Sequence, residues 1–265
     1  MRAILATTLL LLSSALNAQP GLPYFDEAYE RVVIPVGEVR QSGAFGTTWR
    51  LDAWVFNSTD DRVTLSQGRP VCTIMCSGGR PSVKPGVSRI ELFDNIFSNA
   101  PNGMFLHFPR EHSEDLTFHV RLVLETPDGD RPSVEIPIIR ERDFRTAPIV
   151  LLDVPNNPDR RVMLRVYEAT GERPVAARIR VLPLEGVDAI ADRIMFLAPG
   201  TAVGDDFPTH TGVAQVPLAD LIDLSSAPER LRIEVTASTP EDLPLWAFAS
   251  ITENDTQHVT LITPQ

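Results

Sequence analysis

Apolar side chains recur at every second position along most of the chain, which is the spacing of strands that bury one face. Segment 47–57 shows it best, because Trp49, Leu51, Ala53 and Val55 share one face while the intervening side chains share the other. No segment carries a sustained helical stripe, and 219–224 fits a single helical turn. The pattern predicts short strands over 31–36, 47–57, 63–65, 71–75, 87–93, 103–108, 116–125, 134–139, 149–154, 161–166, 177–181, 193–197, 212–218, 231–235, 245–251 and 259–262.

Turn residues separate these strands, among them Pro85–Gly86, 127–130 and 156–159. Many short strands joined by turns rich in proline and glycine are typical of sandwiches and barrels. The charged segment 140–147 interrupts the pattern near the middle of the chain. We therefore predict an all-β protein with two immunoglobulin-like β-sandwich domains in tandem, at residues 19–142 and 143–265.

The N-terminus resembles a secretory signal peptide. Met1–Arg2 is a short positive start, 3–12 is mostly apolar, and small residues follow, with cleavage after Ala18 slightly favoured over cleavage after Ala15. The alternative is a buried N-terminal helix. We expect residues 1–18 to be the signal peptide and the mature protein to be secreted or periplasmic.

Charge and composition exclude several classes of function. The formal net charge is −11, which argues against nucleic acid or an anionic membrane surface as the main partner, since both bind basic patches. The only lysine is Lys84, so a Schiff-base or phosphate-binding lysine is nearly excluded. No later apolar run reaches the length of a membrane span.

Cys72 and Cys76 are the only cysteines. Exported proteins meet an oxidising compartment, so a disulfide between them is the favoured interpretation. In a straight strand the two Cα atoms would lie about 13 Å apart, whereas a disulfide needs less than about 7 Å. A bonded pair therefore requires a turn at 72–76. The alternative is a redox or metal-binding pair.

Two polar clusters could carry chemistry. His107, Glu111, His112 and Glu114 fall within eight residues, and such side chains ligate zinc. Residues 204–210 bring together two aspartates and a histidine, as in some hydrolases, but no nucleophile motif accompanies them. A solvated surface loop is the favoured interpretation of each cluster. The members of the second cluster are Asp205, Asp206 and His210.

Acidic turns recur along the chain, and calcium sites in β-proteins use such carboxylates. No complete calcium-loop motif is present, and ordinary hairpin turns account for the same residues. The segments beginning at Asn57 and Asn254 also match the acceptor pattern for N-glycosylation. The acidic pairs are Asp60 with Asp61, Asp128 with Asp130, and Glu253 with Asp255.

Aromatic residues occupy both faces of the strand at 47–57. One face belongs to the core. For the other face, with Trp54 and Phe56, burial under the second sheet's edge, the partner domain or a ligand is the favoured interpretation. The alternative is an exposed platform for carbohydrate or peptide.

Three stretches resemble exported bacterial two-domain β-sandwich proteins of unknown function. Gly43–Trp49, continued by Val55-Phe56-Asn57, resembles a G-x-F-G-[ST]-x-W…N opening. A small loop with cysteines followed by Pro85–Gly86, and the closing hairpin of 245–250 with 256–260, are similar too. The resemblance implies an immunoglobulin-like architecture and no assigned activity.

These observations favour a binding or scaffolding protein whose partner is a protein or a glycan. No catalytic residue, metal site or cofactor is assigned. The alternative is a hydrolase or metal-dependent enzyme with a site in loops at the domain junction, which would require His107, His112 and His210 to converge. A binding protein should instead show an aromatic sheet face or an unpaired edge strand.

Overall fold

A computed structural model describes residues 27–35, 40–42, 48–66, 82–90, 103–126, 129–131, 134–170, 174–198, 200, 211–238 and 243–264. Strands dominate these ranges, so the predicted all-β class is confirmed. Within them, no helix has the length and apolar content needed to cross a bilayer. We refer to residues 27–144 as the N-terminal segment and to 145–264 as the C-terminal segment.

The N-terminal segment contains eleven strands in its described part, and two short 3-10 helices. The strands are β1 (Tyr29–Ile34), β2 (Arg40–Ser42), β3 (Thr48–Asn57), β4 (Val63–Thr64), β5 (Ser82–Val83), β6 (Gly86–Arg89), β7 (Met104–Pro109), β8 (Leu116–Thr126), β9 (Gly129–Arg131), β10 (Glu135–Ile136) and β11 (Ile139–Arg140), and the 3-10 helices are Arg110–His112 and Glu141–Asp143.

The C-terminal segment adds eight strands in its described part, and one helical turn. They are β12 (Ile149–Pro155), β13 (Arg160–Glu168), β14 (Val175–Pro183), β15 (Ala191–Leu197), β16 (Val213–Pro217), the helix α1 (Leu218–Leu221), β17 (Arg230–Ala237), β18 (Leu245–Glu253) and β19 (Val259–Ile262).

The described strands form antiparallel sheets within each segment. In the N-terminal segment, one sheet has the order β11-β1-β7, and another has the order β10-β8-β3-β2, with β6 also paired to β3 and β9 to β8. β4 and β5 pair separately. In the C-terminal segment, two four-stranded sheets have the orders β12-β17-β14-β15 and β16-β13-β18-β19.

Each segment has its own hydrophobic core. The C-terminal core contains buried residues from both four-stranded sheets, such as Ile179 and Ile233 from one and Leu164 from the other. The N-terminal core likewise joins Leu106 of the three-stranded sheet with Val55 of the larger one. Alternation produces both cores, because every second side chain of a strand points to the same side.

A third cluster, the junction cluster, contains residues of both segments. It consists of Val33, Phe105, Ile139 and Phe144 with Tyr167, Ala169, Trp246 and Phe248. The Tyr167 hydroxyl donates a buried hydrogen bond of 2.6 Å to the Pro35 carbonyl. The three-stranded sheet is therefore buried on both faces, one against its own core and one against the C-terminal segment.

The charged segment at 140–147 is partly buried. The Glu141 carboxylate accepts hydrogen bonds from the Arg31 backbone N–H at 3.1 Å and from Arg110 Nη2 at 2.7 Å. Arg140 pairs with Glu30, whose pKa is raised, mainly by burial and against the opposing charge of Arg140. These charges tie the second 3-10 helix to β1, because a carboxylate enters a core only with partners.

Candidate functional site

β3 has one buried and one exposed face, and the exposed face carries two aromatic rings. Ala53 and Val55 belong to the N-terminal core. Trp54 and Phe56 point the other way and are 39% and 46% exposed. The sequence favoured burial of this face, and the structure corrects that expectation, because both rings are exposed on the surface of the sheet.

Neighbouring strands extend this face on both sides of β3. Phe56 lies between Val87 of β6, which is 69% exposed, and Thr117 of β8. Trp54 lies between Arg89 of β6 and His119 of β8. Directly opposed side chains in a sheet are about 5 Å apart, so these residues form one surface. We define the outer aromatic face as Trp54, Phe56, Val87, Arg89, Thr117 and His119.

An ion pair and a histidine–carboxylate contact flank the indole ring of Trp54. The guanidinium carbon of Arg89 is 6.0 Å from the centre of the ring, and Arg89 Nη2 donates to Asp52 Oδ1 at 2.7 Å. On the other side, His119 Nδ1 is 3.2 Å from Glu135 Oε1. The face thus places hydrogen-bond donors and acceptors beside an apolar ring, which suits a ligand that is itself both polar and apolar.

The structure does not bring the four proposed zinc ligands together, although Glu111 Oε1 lies 3.7 Å from His112 Nε2. His107 is buried in β7, where its backbone pairs with that of Ser66. His112 lies on the first 3-10 helix, with Nδ1 3.2 Å from Asp115 Oδ2. Glu114 binds Arg142 at 2.7 Å. No group of three or more potential ligands is arranged to hold a metal ion in the part of the chain that the structure describes.

Several predicted site residues lie outside the described residues. They are Cys72, Cys76, Asp128, Asp205, Asp206 and His210.

The acidic turns that are described have structural partners. The Asn57 side chain bonds to the Asp61 carbonyl, and Thr256 donates to Glu253 Oε2 at 2.9 Å. Asp130 accepts from Arg50 at 2.7 Å. These contacts account for the Glu253 carboxylate as part of a turn and for the Asp130 carboxylate as part of an ion pair.

The sequence pattern drew attention to Trp54 and Phe56 but favoured their burial, and it did not point to Val87, Arg89 or His119. Alternation along β8 places His119 on the same face as Thr117, which was readable in the sequence. The pairing of β6 with β3 could not be predicted from the sequence, because alternation within one strand does not indicate which strand pairs with it.

Comparison of the chain with protein families, with curated proteins and with solved structures found no match.

Proposed function

We propose that this is a secreted or periplasmic binding protein with tandem immunoglobulin-like domains, and that its outer aromatic face binds a glycan. The observation that carries the proposal is the pair of exposed rings, Trp54 and Phe56, on one sheet face. Large apolar side chains grouped on a solvent-facing surface favour an interaction site. The apolar start of the chain supports export.

The polar surroundings of the rings favour a glycan over a purely apolar ligand. A sugar ring presents C–H groups on its faces and hydroxyl groups at its edge. The C–H groups pack on aromatic rings, while Asp52 and Glu135 accept hydrogen bonds and Arg89 donates them. Because each hydroxyl both donates and accepts, a glycan matches this mixture of side chains without burying an unpaired charge.

Spacing along the strand also suits an extended ligand. Trp54 and Phe56 are two residues apart on one face, which separates them by about 7 Å. A ligand with repeated ring units can contact both, whereas a peptide adding a strand would need a free sheet edge rather than a face.

The test is binding to an array of neutral and acidic oligosaccharides, followed by calorimetry with the oligosaccharide that binds best. We expect Trp54→Ala to weaken binding by at least about tenfold, within the range measured for aromatic anchors. Phe196→Ala is the matched control, because Phe196 is also an exposed phenylalanine, at 76%, but lies on β15 of a different sheet. Absence of glycan binding, or equal binding by the Trp54→Ala variant, would contradict the proposal.

The disulfide expected between Cys72 and Cys76 has its own test. In an oxidising compartment the pair forms a disulfide. We expect no alkylation by iodoacetamide under native oxidising conditions, and alkylation of both cysteines after reduction, as measured by mass spectrometry. Alkylation of both without reductant would show free thiols and count against the disulfide.

A further inference from the structure

A bulge interrupts β12 in the C-terminal segment. The pairing of β12 with β17 shifts between Leu151 and Val154, and Asp153 within this shift has a φ of +62°. Residues with a Cβ rarely adopt positive φ, although aspartate tolerates it better than most. Bulges re-aim side chains, and this one presents the Asp153 carboxylate to the guanidinium of Arg230.

This carboxylate lines a cleft of about 430 Å³. A second ion pair lies in the same cleft, where Arg160 Nη2 is 3.6 Å from Glu253 Oε1. Ile251 and Ile262 supply apolar walls. The volume is in the range of small-molecule sites, which combine apolar walls with a few placed polar groups.

Stability does not account for this arrangement. Both ion pairs are largely exposed, and exposed pairs stabilise a fold by about 1 kcal/mol at most. A non-glycine residue at positive φ costs a comparable amount or more. Strained backbone of this kind concentrates at ligand sites, where it positions a functional side chain.

We propose that this cleft binds a small zwitterion with an aliphatic body, such as a branched-chain α-amino acid. The two guanidinium groups match a carboxylate and the two carboxylates match an ammonium group, while the isoleucines contact the aliphatic body. A simple anion or cation would leave groups of one sign unmatched. Because the existing pairs are solvated, a ligand exchanges partners with them at little cost. The proposal does not depend on the outer aromatic face.

The test is calorimetric titration of the full mature chain with L-leucine up to about 20 mM, a range that detects weak binding. Two further titrations use isoamylamine and 4-methylpentanoate, which keep the aliphatic body and one charge each. We expect leucine to bind saturably, and each single-charge compound to bind about tenfold or more weakly. No saturable leucine binding, or equal binding of either single-charge compound, would overturn the proposal.

Three variants link binding to the cleft. Asp153→Asn keeps a side chain that tolerates positive φ but removes the charge, and Arg230→Gln removes its partner. Asp153→Gly removes the carboxylate at a position where glycine is unstrained, so the melting temperature should not fall. Leucine binding should nevertheless be lost in this variant. We expect the first two variants to weaken leucine binding about tenfold.

Arg178→Gln is the matched control, because Arg178 forms an exposed pair with Asp192 in the same sheet but outside the cleft. Leucine binding should be unchanged in this variant. Equal losses in the cleft and control variants would show a general effect of charge and would reject the site.

Discussion

Asn57 fixes a turn from a buried position. Its side chain is 1% exposed, and its amide nitrogen donates to the Asp61 carbonyl at 2.7 Å and the Val83 carbonyl at 3.3 Å. Its amide oxygen accepts from the backbone and hydroxyl of Thr59. Asn57 also begins an N-glycosylation acceptor pattern. In the folded chain, however, its side-chain amide is buried and its nitrogen and oxygen are both hydrogen-bonded within the protein.

Asn57→Asp tests this role, because aspartate keeps the acceptors but loses both donors. We expect the free energy of unfolding to fall by about 2–3 kcal/mol, since a buried charge then faces two carbonyls. Urea unfolding measures the change. Asn254→Asp is the control, because Asn254 donates to the Pro158 carbonyl at an exposed site and should cost less than about 1 kcal/mol.

Tyr167 makes the stability of the fold depend on alkaline pH. Burial raises the pKa of its hydroxyl, and the nearby charge of Arg165 opposes this weakly. An unfolded tyrosine loses its proton near pH 10 while the folded one keeps it, so the unfolded state binds fewer protons above that pH. Stability from this group is therefore complete below about pH 10 and falls as pH rises, by about 1.4 kcal/mol per unit.

Tyr167→Phe isolates the effect. Below pH 10 the variant should be about 1–3 kcal/mol less stable than the wild type, because the Pro35 carbonyl loses its donor. The difference should shrink as pH rises above about 10, because only the wild type loses the contribution of Tyr167. Urea unfolding between about pH 8 and 11 measures both curves, and a constant difference would contradict the argument.

At the scale of elements, alternation predicted strands well where they have one buried face. β3 spans Thr48–Asn57, against the predicted 47–57. The helical turn is Leu218–Leu221, slightly before the predicted 219–224. The positions of β3 and of the helical turn both depend on the spacing of apolar residues within a short segment, and this spacing can be seen in a single sequence.

Features set by distant partners were not predicted. Nothing in the apolar run at 149–154 indicates the bulge at Asp153, because the shift arises from pairing with β17. In the sequence, the charged residues at 140–147 indicate a domain boundary, and nothing in them predicts the burial of Glu141, since the arginines that neutralise it come from elsewhere in the chain. The apolar runs in β1 and β7 are typical of strands that are buried on both faces. They do not indicate which part of the protein packs on each face.

The two faces of β3 predict opposite results for neighbouring substitutions. Val55→Ala removes buried methyl groups from the N-terminal core and should lower the free energy of unfolding by about 1.5–3 kcal/mol. Phe56→Ala should cost less stability and instead weaken glycan binding. Urea unfolding and calorimetry on the two variants measure this split, and similar stability losses in both would show that Phe56 is a core residue.

For the whole molecule, the junction cluster determines how the two segments unfold. Tyr167 and Phe248 stack with ring centres 6.1 Å apart, and Trp246 lies 5.4 Å from Phe248. Phe105 enters the same cluster from the N-terminal segment. An apolar interface of large aromatic side chains couples the units that share it, so we expect both segments to unfold in one transition.

Trp246 is a reporter for this coupling, because it is the only tryptophan left after Trp49→Phe and Trp54→Phe. In that background, Leu116→Ala creates a cavity in the N-terminal core and should destabilise it by about 2–5 kcal/mol. Coupling predicts that the fluorescence of Trp246, in the other segment, then reports a lower midpoint in urea.

Phe105→Ala provides the second half of the test, because it removes one of the two phenylalanines that the N-terminal segment contributes to the junction cluster. In a chain that carries this change, Leu116→Ala should shift the Trp246 midpoint less than it does with Phe105 present. The difference between the two shifts, each converted to a free energy with the m-value, is the coupling energy of the double-mutant cycle. Equal shifts would mean that the segments are linked through other contacts, and no shift in either background would mean that each segment unfolds on its own.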